Sequence, residues 1–116
     1  MSRGRTAFLN GMAAEDAVAR AYEARGGVVL AQRWKVPEGE IDLVVELAGV
    51  VIFVEVKARK QLETAMRALK PAQQARLMAC AEQYLALHGG LNTPCRFDLA
   101  AVEHSGRMEI IENALG

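Results

Sequence analysis

The stretch Gly39-Glu40-Ile41-Asp42-Leu43-Val44-Val45-Glu46-Leu47-Ala48-Gly49-Val50-Val51-Ile52-Phe53-Val54-Glu55-Val56-Lys57 reads as two strands joined by a turn. Glu40 to Leu47 is one strand and Val50 to Ala58 the next. Ala48-Gly49 leaves a two-residue connection, the length of a tight β-hairpin, although Ala-Gly is a weaker turn signal than Asn-Gly. Side chains alternate faces along a strand, so Val51, Phe53, Glu55 and Lys57 share one face and Ile52, Val54 and Val56 the other. A strand in the middle of a sheet buries both faces. Glu55 and Lys57 therefore interrupt an apolar run, and such charges cost stability unless they are paired or bound.

The partner strand carries Glu40, Asp42, Val44 and Glu46 on one face. With the turn at Ala48-Gly49, Leu47 faces Val50 and Glu46 faces Val51. The same register sets Asp42 opposite Glu55. Directly opposed Cβ atoms lie about 4.5–5.5 Å apart. Two ionised carboxylates at that distance repel, and a divalent cation between them turns the repulsion into a binding site. Hard oxygen donors and few protein ligands suit Mg²⁺ or Mn²⁺. The Val56 carbonyl between Glu55 and Lys57 can complete the coordination. Such a metal polarises a phosphoryl oxygen and lowers the pKa of a bound water. Lys57 can orient that water or neutralise charge developing on phosphorus. A structural ion-pair cluster of Asp42, Glu55 and Lys57 fits the spacing as well.

Around this hairpin the chain alternates helices and strands. Leu9 to Arg25 has the helical period, with Ala14, Val18, Ala21 and Tyr22 on one face and Gly26-Gly27 as the stop. Glu15 stands at the edge of that apolar face, where a carboxylate needs a partner. Val28 to Trp34 reads as a strand and Pro37-Glu38-Gly39 as a turn. A short helix is expected over about Glu63 to Leu69. Pro71 then opens what reads as the longest helix, with Leu77, Met78, Ala81, Tyr84, Leu85 and His88 as its core stripe. Arg96 to Glu103 and Met108 to Glu112 are the last two strands. The order predicts an α/β fold, one mixed sheet of about five strands flanked by helices. The fourth strand follows a long helix and is expected to enter by a crossover beside the hairpin.

The 116 residues suffice for one domain, with 52% apolar and 24% charged residues in an ordinary globular balance. Met1–Arg5 reads as a loose tail and residues 6–116 as the domain. The longest apolar stretch, Leu47 to Val54, is eight residues, far short of the roughly 20 of a membrane span. No secretory signal is legible at the N-terminus, so the expected location is the cytoplasm. Cys80 and Cys95 form no CxxC pair and read as reduced thiols.

Formal net charge is zero, but its distribution is uneven. Val36 to Val56 holds five acidic residues and no basic one, and Lys57 to Arg76 holds six basic residues and one acidic. An acidic centre beside a cationic flank suits a polyanion held at a metal, as well as an ordinary solvated helix face. Arg59, Lys60, Lys70, Gln73, Gln74 and Arg76 are the candidate phosphate contacts, because these side chains hold backbone phosphates without reading sequence. Asp98, inside an apolar strand, is expected to brace Arg96 or a backbone amide. Trp34 and Tyr84 read as core, and His88 and His104 lack partners at ligand spacing.

Gly39-Glu40-Ile41-Asp42-Leu43-Val44 and Phe53-Val54-Glu55-Val56-Lys57-Ala58-Arg59 together resemble the YraN-like family, which is similar to the archaeal Holliday-junction resolvases of the PD-(D/E)XK nuclease superfamily. Asn10-Gly11-Met12-Ala13-Ala14-Glu15-Asp16-Ala17 looks like its N-terminal helix motif and Arg96-Phe97-Asp98 like its late strand motif, so the resemblance spans nearly the whole chain. It implies a restriction-endonuclease-like domain that hydrolyses DNA phosphodiesters with Mg²⁺ or Mn²⁺, on branched or structured substrates. Asp42 and Glu55 would be metal ligands and Lys57 the catalytic lysine. Glu15 would be the helix carboxylate that approaches the same site, against the alternative of a helix-end salt bridge. Ala14 stands where the family often has Gly, and Lys60 to Met66 lacks the Phe-Gly that often follows the strand. Resolvase-like action would need two sites across one junction, hence a homodimer. The competing expectation is a module that holds nucleic acid or a protein partner without cutting.

Overall fold

The computed structural model describes Arg3–Leu115, with side chains from Met12 onward. Helix α1 (Arg3–Ala24) leads into β1 (Val28–Val36), β2 (Gly39–Leu47) and β3 (Val50–Arg59). A short α2 (Leu62–Met66) and α3 (Pro71–His88) follow, then β4 (Cys95–Glu103) and β5 (Met108–Ile111). The strands form one mixed sheet in the order β1-β2-β3-β4-β5. All pairs are antiparallel except β3 with β4, which are parallel, as the crossover through α3 requires. No helix among the described residues is long and apolar enough to cross a membrane.

Two apolar clusters sandwich the sheet. Ala14, Val18, Ala19 and Tyr22 of α1 pack on Leu43, Val45, Ile52, Val54, Ala100 and Val102. Leu77, Cys80, Ala81, Tyr84 and Leu85 of α3 pack on Val44, Val51 and Phe53 from the opposite side. This division is the strand alternation expected of Val51 to Val54. Trp34 packs against the second cluster, its ring edge-on to Tyr84 with centroids 5.2 Å apart.

Several element readings need correction. The first helix is already formed at Arg3, which puts Arg3–Arg5 of the expected tail inside it; Met1 and Ser2 lie outside the described residues. Its 22 residues make it longer than the 18 of α3. Helix α2 stops at Met66 rather than near Leu69. The residue before a proline avoids the helical region, and Lys70, before Pro71, is extended at φ −89, ψ 156. Met78 and His88 are exposed, and Cys80 takes the core place instead. A core-facing stripe spans a limited arc of the helix, and residues 77, 80, 81, 84 and 85 fill it. Both cysteines are free, Cys80 buried and Cys95 exposed.

The hairpin turn is as expected. Ala48 has φ 52 and Gly49 φ 80, the double positive φ of a type I′ turn. The resulting register pairs Leu47 with Val50 and runs to Leu43 with Val54. Gly27 fixes the entry into the sheet. A Cβ there would lie 2.9 Å from both the Tyr22 carbonyl oxygen and Val45 Cγ1, so only glycine lets the end of α1 press against β2.

A polar bolt ties α1 to its face of the sheet. Asp98 is 1% exposed, and its carboxylate accepts the Tyr22 hydroxyl at 2.7 Å, Arg96 Nε at 3.1 Å and the Asn113 amide at 3.2 Å. The expected bracing role of Asp98 is thus met by both kinds of partner, with Tyr22 added. The three donors join α1, β4 and the C-terminal turn through one carboxylate.

Candidate functional site

The centre of the site lies where β2 and β3 part. Their ladder ends at Leu43 and Val54. One step further the register sets Asp42 opposite Glu55. Asp42 does not continue the ladder: its Oδ2 accepts the Val56 amide at 2.9 Å. The side chain has taken the place of a strand partner.

The irregularity extends into β1. Arg33, opposite Asp42 in the register between Gln32↔Leu43 and Trp34↔Ile41, has a left-handed backbone at φ 52. A non-glycine residue there twists the strand locally. The neighbouring β2 is irregular at the same point. Ile41, expected by alternation on the α1 side with Leu43, instead packs with Val44 and Phe53 on the α3 side. The break in alternation at Ile41-Asp42 turns the Asp42 carboxylate toward β3.

Burial, the neighbouring Glu55 and, more weakly, Glu15 and Glu40 push the Asp42 carboxyl up to about 7, against the opposing pull of the Val56 amide. Asp42, Glu55 and Glu15 therefore share one electrostatic neighbourhood. Their partners differ from one another. Glu55 Oε1 lies 3.2 Å from Lys57 Nζ, in a pair whose side chains are only 17% and 12% exposed. Glu15 is held by Arg33 through two hydrogen bonds, at 2.9 and 3.3 Å. The salt-bridge alternative for Glu15 is thus realised, but with a β1 residue beside Asp42 rather than at a helix end. Arg33 also feels Glu40 and Asp42, which makes it the cation of the acidic group. It was missed in the sequence because nothing in Gln32-Arg33-Trp34 signals positive φ.

No group of three or more His, Cys, Asp or Glu side chains among the described residues is arranged to hold a metal ion. The donors at hand are two carboxylates, Asp42 and Glu55, and main-chain oxygen. In a strand the N–H and C=O of one residue point to the same edge. The Val56 carbonyl thus shares the edge from which its amide reaches Asp42, beyond the end of the β2 ladder. Two carboxylates and a carbonyl are a hard, partial donor set. Mg²⁺ takes such a set and keeps several waters.

The expected phosphate contacts divide in two. Gln73 and Arg76, at the start of α3, line a cleft of about 210 Å³ with Glu38, Glu40, Glu55 and Leu77. Arg59 and Lys70 line a separate pocket. Gln74 is half-buried and its Nε2 donates to the Leu69 carbonyl at 3.4 Å, a local role. Lys60 is exposed and lines neither space.

A family model described as "Uncharacterised protein family UPF0102" matches residues 14–102. That span holds Glu15, Arg33, Asp42, Glu55, Lys57 and Asp98. A UPF0102 protein of Roseobacter denitrificans is 46% identical over 113 residues, covering 97% of this chain and 88% of the relative. A UPF0102 protein of Ruegeria pomeroyi is 45% identical over 116 residues, covering 99% and 94%. The chain belongs to the uncharacterised protein family UPF0102, the family to which its GEIDLV and FVEVK segments pointed.

Proposed function

We propose that this protein is a Mg²⁺- or Mn²⁺-dependent nuclease acting on DNA, with Asp42, Glu55 and the Val56 carbonyl as metal ligands and Lys57 beside them. The observation that carries the reading is the pairing of a half-buried Asp42 with Glu55 at the break in the sheet. Burial and the second carboxylate raise the Asp42 carboxyl to about 7, so that at pH 7 it still carries its proton about half the time. Such a carboxyl gains more from a bound cation than from water.

The roles follow from position. Asp42 approaches the gap from β2 and Glu55 from β3, so a cation between them would neutralise both. The metal would supply Lewis acidity toward a phosphoryl oxygen and a bound water of lowered pKa. Lys57 holds Glu55 at 3.2 Å. With Glu55 engaged as a ligand, the Lys57 ammonium would be available to a phosphoryl oxygen or to the attacking water. Glu15, already close enough to act on Asp42, could become a further ligand only by leaving Arg33. Gln73 and Arg76 in the adjoining cleft suit contacts to the phosphate backbone.

A second reading has its own observation. Glu55 and Glu15 already have cationic partners in Lys57 and Arg33, which also suits a nuclease fold that binds nucleic acid or a partner without cutting. One experiment separates the two. Single-stranded, duplex, flap and four-way-junction DNA are incubated with Mn²⁺ and either the wild type or Lys57→Ala, with folding checked by circular dichroism. Cleavage by the wild type that disappears in a folded Lys57→Ala protein is the expected result. No cleavage of any substrate, together with salt-dependent binding, would favour the non-cutting module.

A further inference from the structure

We infer that the pocket formed by Arg59, Thr64, Arg67, Ala68 and Lys70 is a separate phosphate subsite, which holds the nucleic-acid backbone beside the scissile position. The inference rests on the nuclease reading for what lies next to it, but not for its own chemistry.

The pocket, about 320 Å³, is assembled from three parts of the chain: the end of β3, the short α2 and the residue that caps α3. Its floor is fixed. Leu62 and Ala65 of α2 are buried against Ala101 of β4, and the Leu62 amide donates to Glu103 Oε2 at 3.2 Å. Helix α2 therefore presents Thr64 and Arg67 from a seated position, and Lys70 stands extended just before Pro71.

The cations in this pocket lack the partners their surroundings could offer. Arg59 lies opposite Glu103 in the β3–β4 register, a natural cross-strand ion pair. That pair is not made. Glu103 is engaged by the Leu62 amide, the Ser105 hydroxyl and Arg107. Arg59 Nη1 donates to the neighbouring Ala58 carbonyl at 2.8 Å instead, which orients the guanidinium and leaves most of its five donors over. None of the ion pairs among the described residues includes Arg59, Arg67 or Lys70. Three like charges around one small space repel at distances inside the Debye length of about 8 Å. An anion removes that repulsion.

The donors favour a phosphodiester over other anions. Two guanidinium forks match phosphate oxygens in pairs, an ammonium adds a point charge, and the Thr64 hydroxyl supplies a neutral donor. Ala68 is the one apolar residue among those that line it, the charged side chains adding their methylene stems, and no aromatic ring offers a base a stacking surface. The pocket is thus built to hold backbone without reading sequence. Its place is as informative as its chemistry. Val56 and Ala58 face the α1 side, so alternation puts Glu55, Lys57 and Arg59 in one row on the other face of β3. Each step in that row is about 6.6 Å. A strand that runs along β3 with a phosphate at Glu55 and Lys57 would bring its next phosphates to Arg59.

The test is metal-free binding by the full chain, with fluorescence anisotropy of a labelled single strand and a labelled four-way junction from about 50 to about 200 mM salt. The double variant Arg59→Gln/Arg67→Gln is expected to weaken both substrates by a similar factor, roughly tenfold at the lowest salt, and to flatten the slope of log affinity against log salt by about 2. Arg67→Gln/Lys70→Gln changes only exposed side chains and is expected to flatten it comparably with an unchanged melting temperature. Arg20→Gln on α1 serves as the control and should leave the slope alone. Wild-type slopes in both double variants would overturn the subsite, as would a wild type that binds neither substrate. Cleavage is read separately: flattened slopes without Mn²⁺-dependent cutting would remove the nuclease reading and leave the subsite, and cutting with unchanged slopes would do the reverse.

Discussion

The Asp42 carboxylate accepts the Val56 amide at 2.9 Å one step beyond the last β2–β3 ladder pair. A backbone donor that another strand would ordinarily satisfy is satisfied by an acid instead. This holds Asp42 against β3 next to Glu55, and its carboxyl is pushed from 3.8 up to about 7, chiefly by burial and then by Glu55.

That relationship has a pH consequence. The folded chain keeps the Asp42 proton between pH 4 and 7, where the unfolded chain has released it. The associated stability is full below about pH 4 and lost as pH rises through about 7. Asp42→Asn keeps an oxygen to accept the Val56 amide and removes the charge. The variant should match the wild type at pH 4 and exceed it at pH 8 by roughly 2–4 kcal/mol, measured by urea denaturation at both values. Equal stability at pH 8 would mean that Asp42 is not held under electrostatic strain. Mn²⁺ should raise the wild-type melting temperature at pH 8 and much less at pH 5, because the proton and the metal compete for Asp42.

The juxtaposition of Asp42, Glu55 and Lys57 was legible in the sequence because two simple periods cross there. Charged residues break an apolar alternation in one strand, and a two-residue turn sets the register of the other. Arg33 was not legible. Its role depends on a left-handed backbone that its neighbours do not announce, and on a helix residue 18 positions earlier. Arg67 was equally hidden, since its pocket draws on three elements and a missing Arg59–Glu103 pair. The onset of α1 was lost for another reason: Arg3-Gly4-Arg5-Thr6 carries no apolar period.

The hairpin register can be tested at Ala48. Its φ of 52 is costly for a residue with a Cβ and no local hydrogen bond to offset it, by about 1–2 kcal/mol. Asparagine tolerates that conformation, and Asn-Gly is the favoured type I′ pair. Ala48→Asn should therefore stabilise the fold by about 0.5–1 kcal/mol and leave the Asp42–Glu55 juxtaposition intact. Thermal denaturation checks the first, and an unchanged pH dependence of stability checks the second. Destabilisation would argue against a type I′ turn.

The Tyr22–Asp98 bond offers a test of how α1 is held to the sheet. Tyr22→Phe removes one donor and should cost about 1–2 kcal/mol, whereas Asp98→Ala strands Tyr22, Arg96 and the Asn113 amide together and should cost about 3–5 kcal/mol. The two are in direct contact, so the double variant should be less destabilised than their sum by about 1 kcal/mol or more. Additive losses would show that the pair contributes little and that α1 is held by its apolar face alone.

The sharpest question about the site concerns Arg33. Its guanidinium holds Glu15 and faces Asp42 and Glu40, so it stands as a fixed cation beside the place proposed for a mobile one. Two cations so placed oppose each other. Removing the fixed one by Arg33→Ala should tighten Mn²⁺ binding at pH 8 by roughly three- to tenfold, read by calorimetry, since tenfold corresponds to one unit of proton affinity at a neighbouring carboxyl. It should also raise the apparent pKa of Asp42, read by the pH dependence of stability. Arg33→Lys keeps the charge and should leave both near their wild-type values, although it loses the two-pronged grip on Glu15. If Arg33→Ala weakened the metal instead, Arg33 would be acting by holding Glu15 in place as a further ligand or support, and the acidic group would work as a preassembled unit rather than as a site shared between an arginine and a metal.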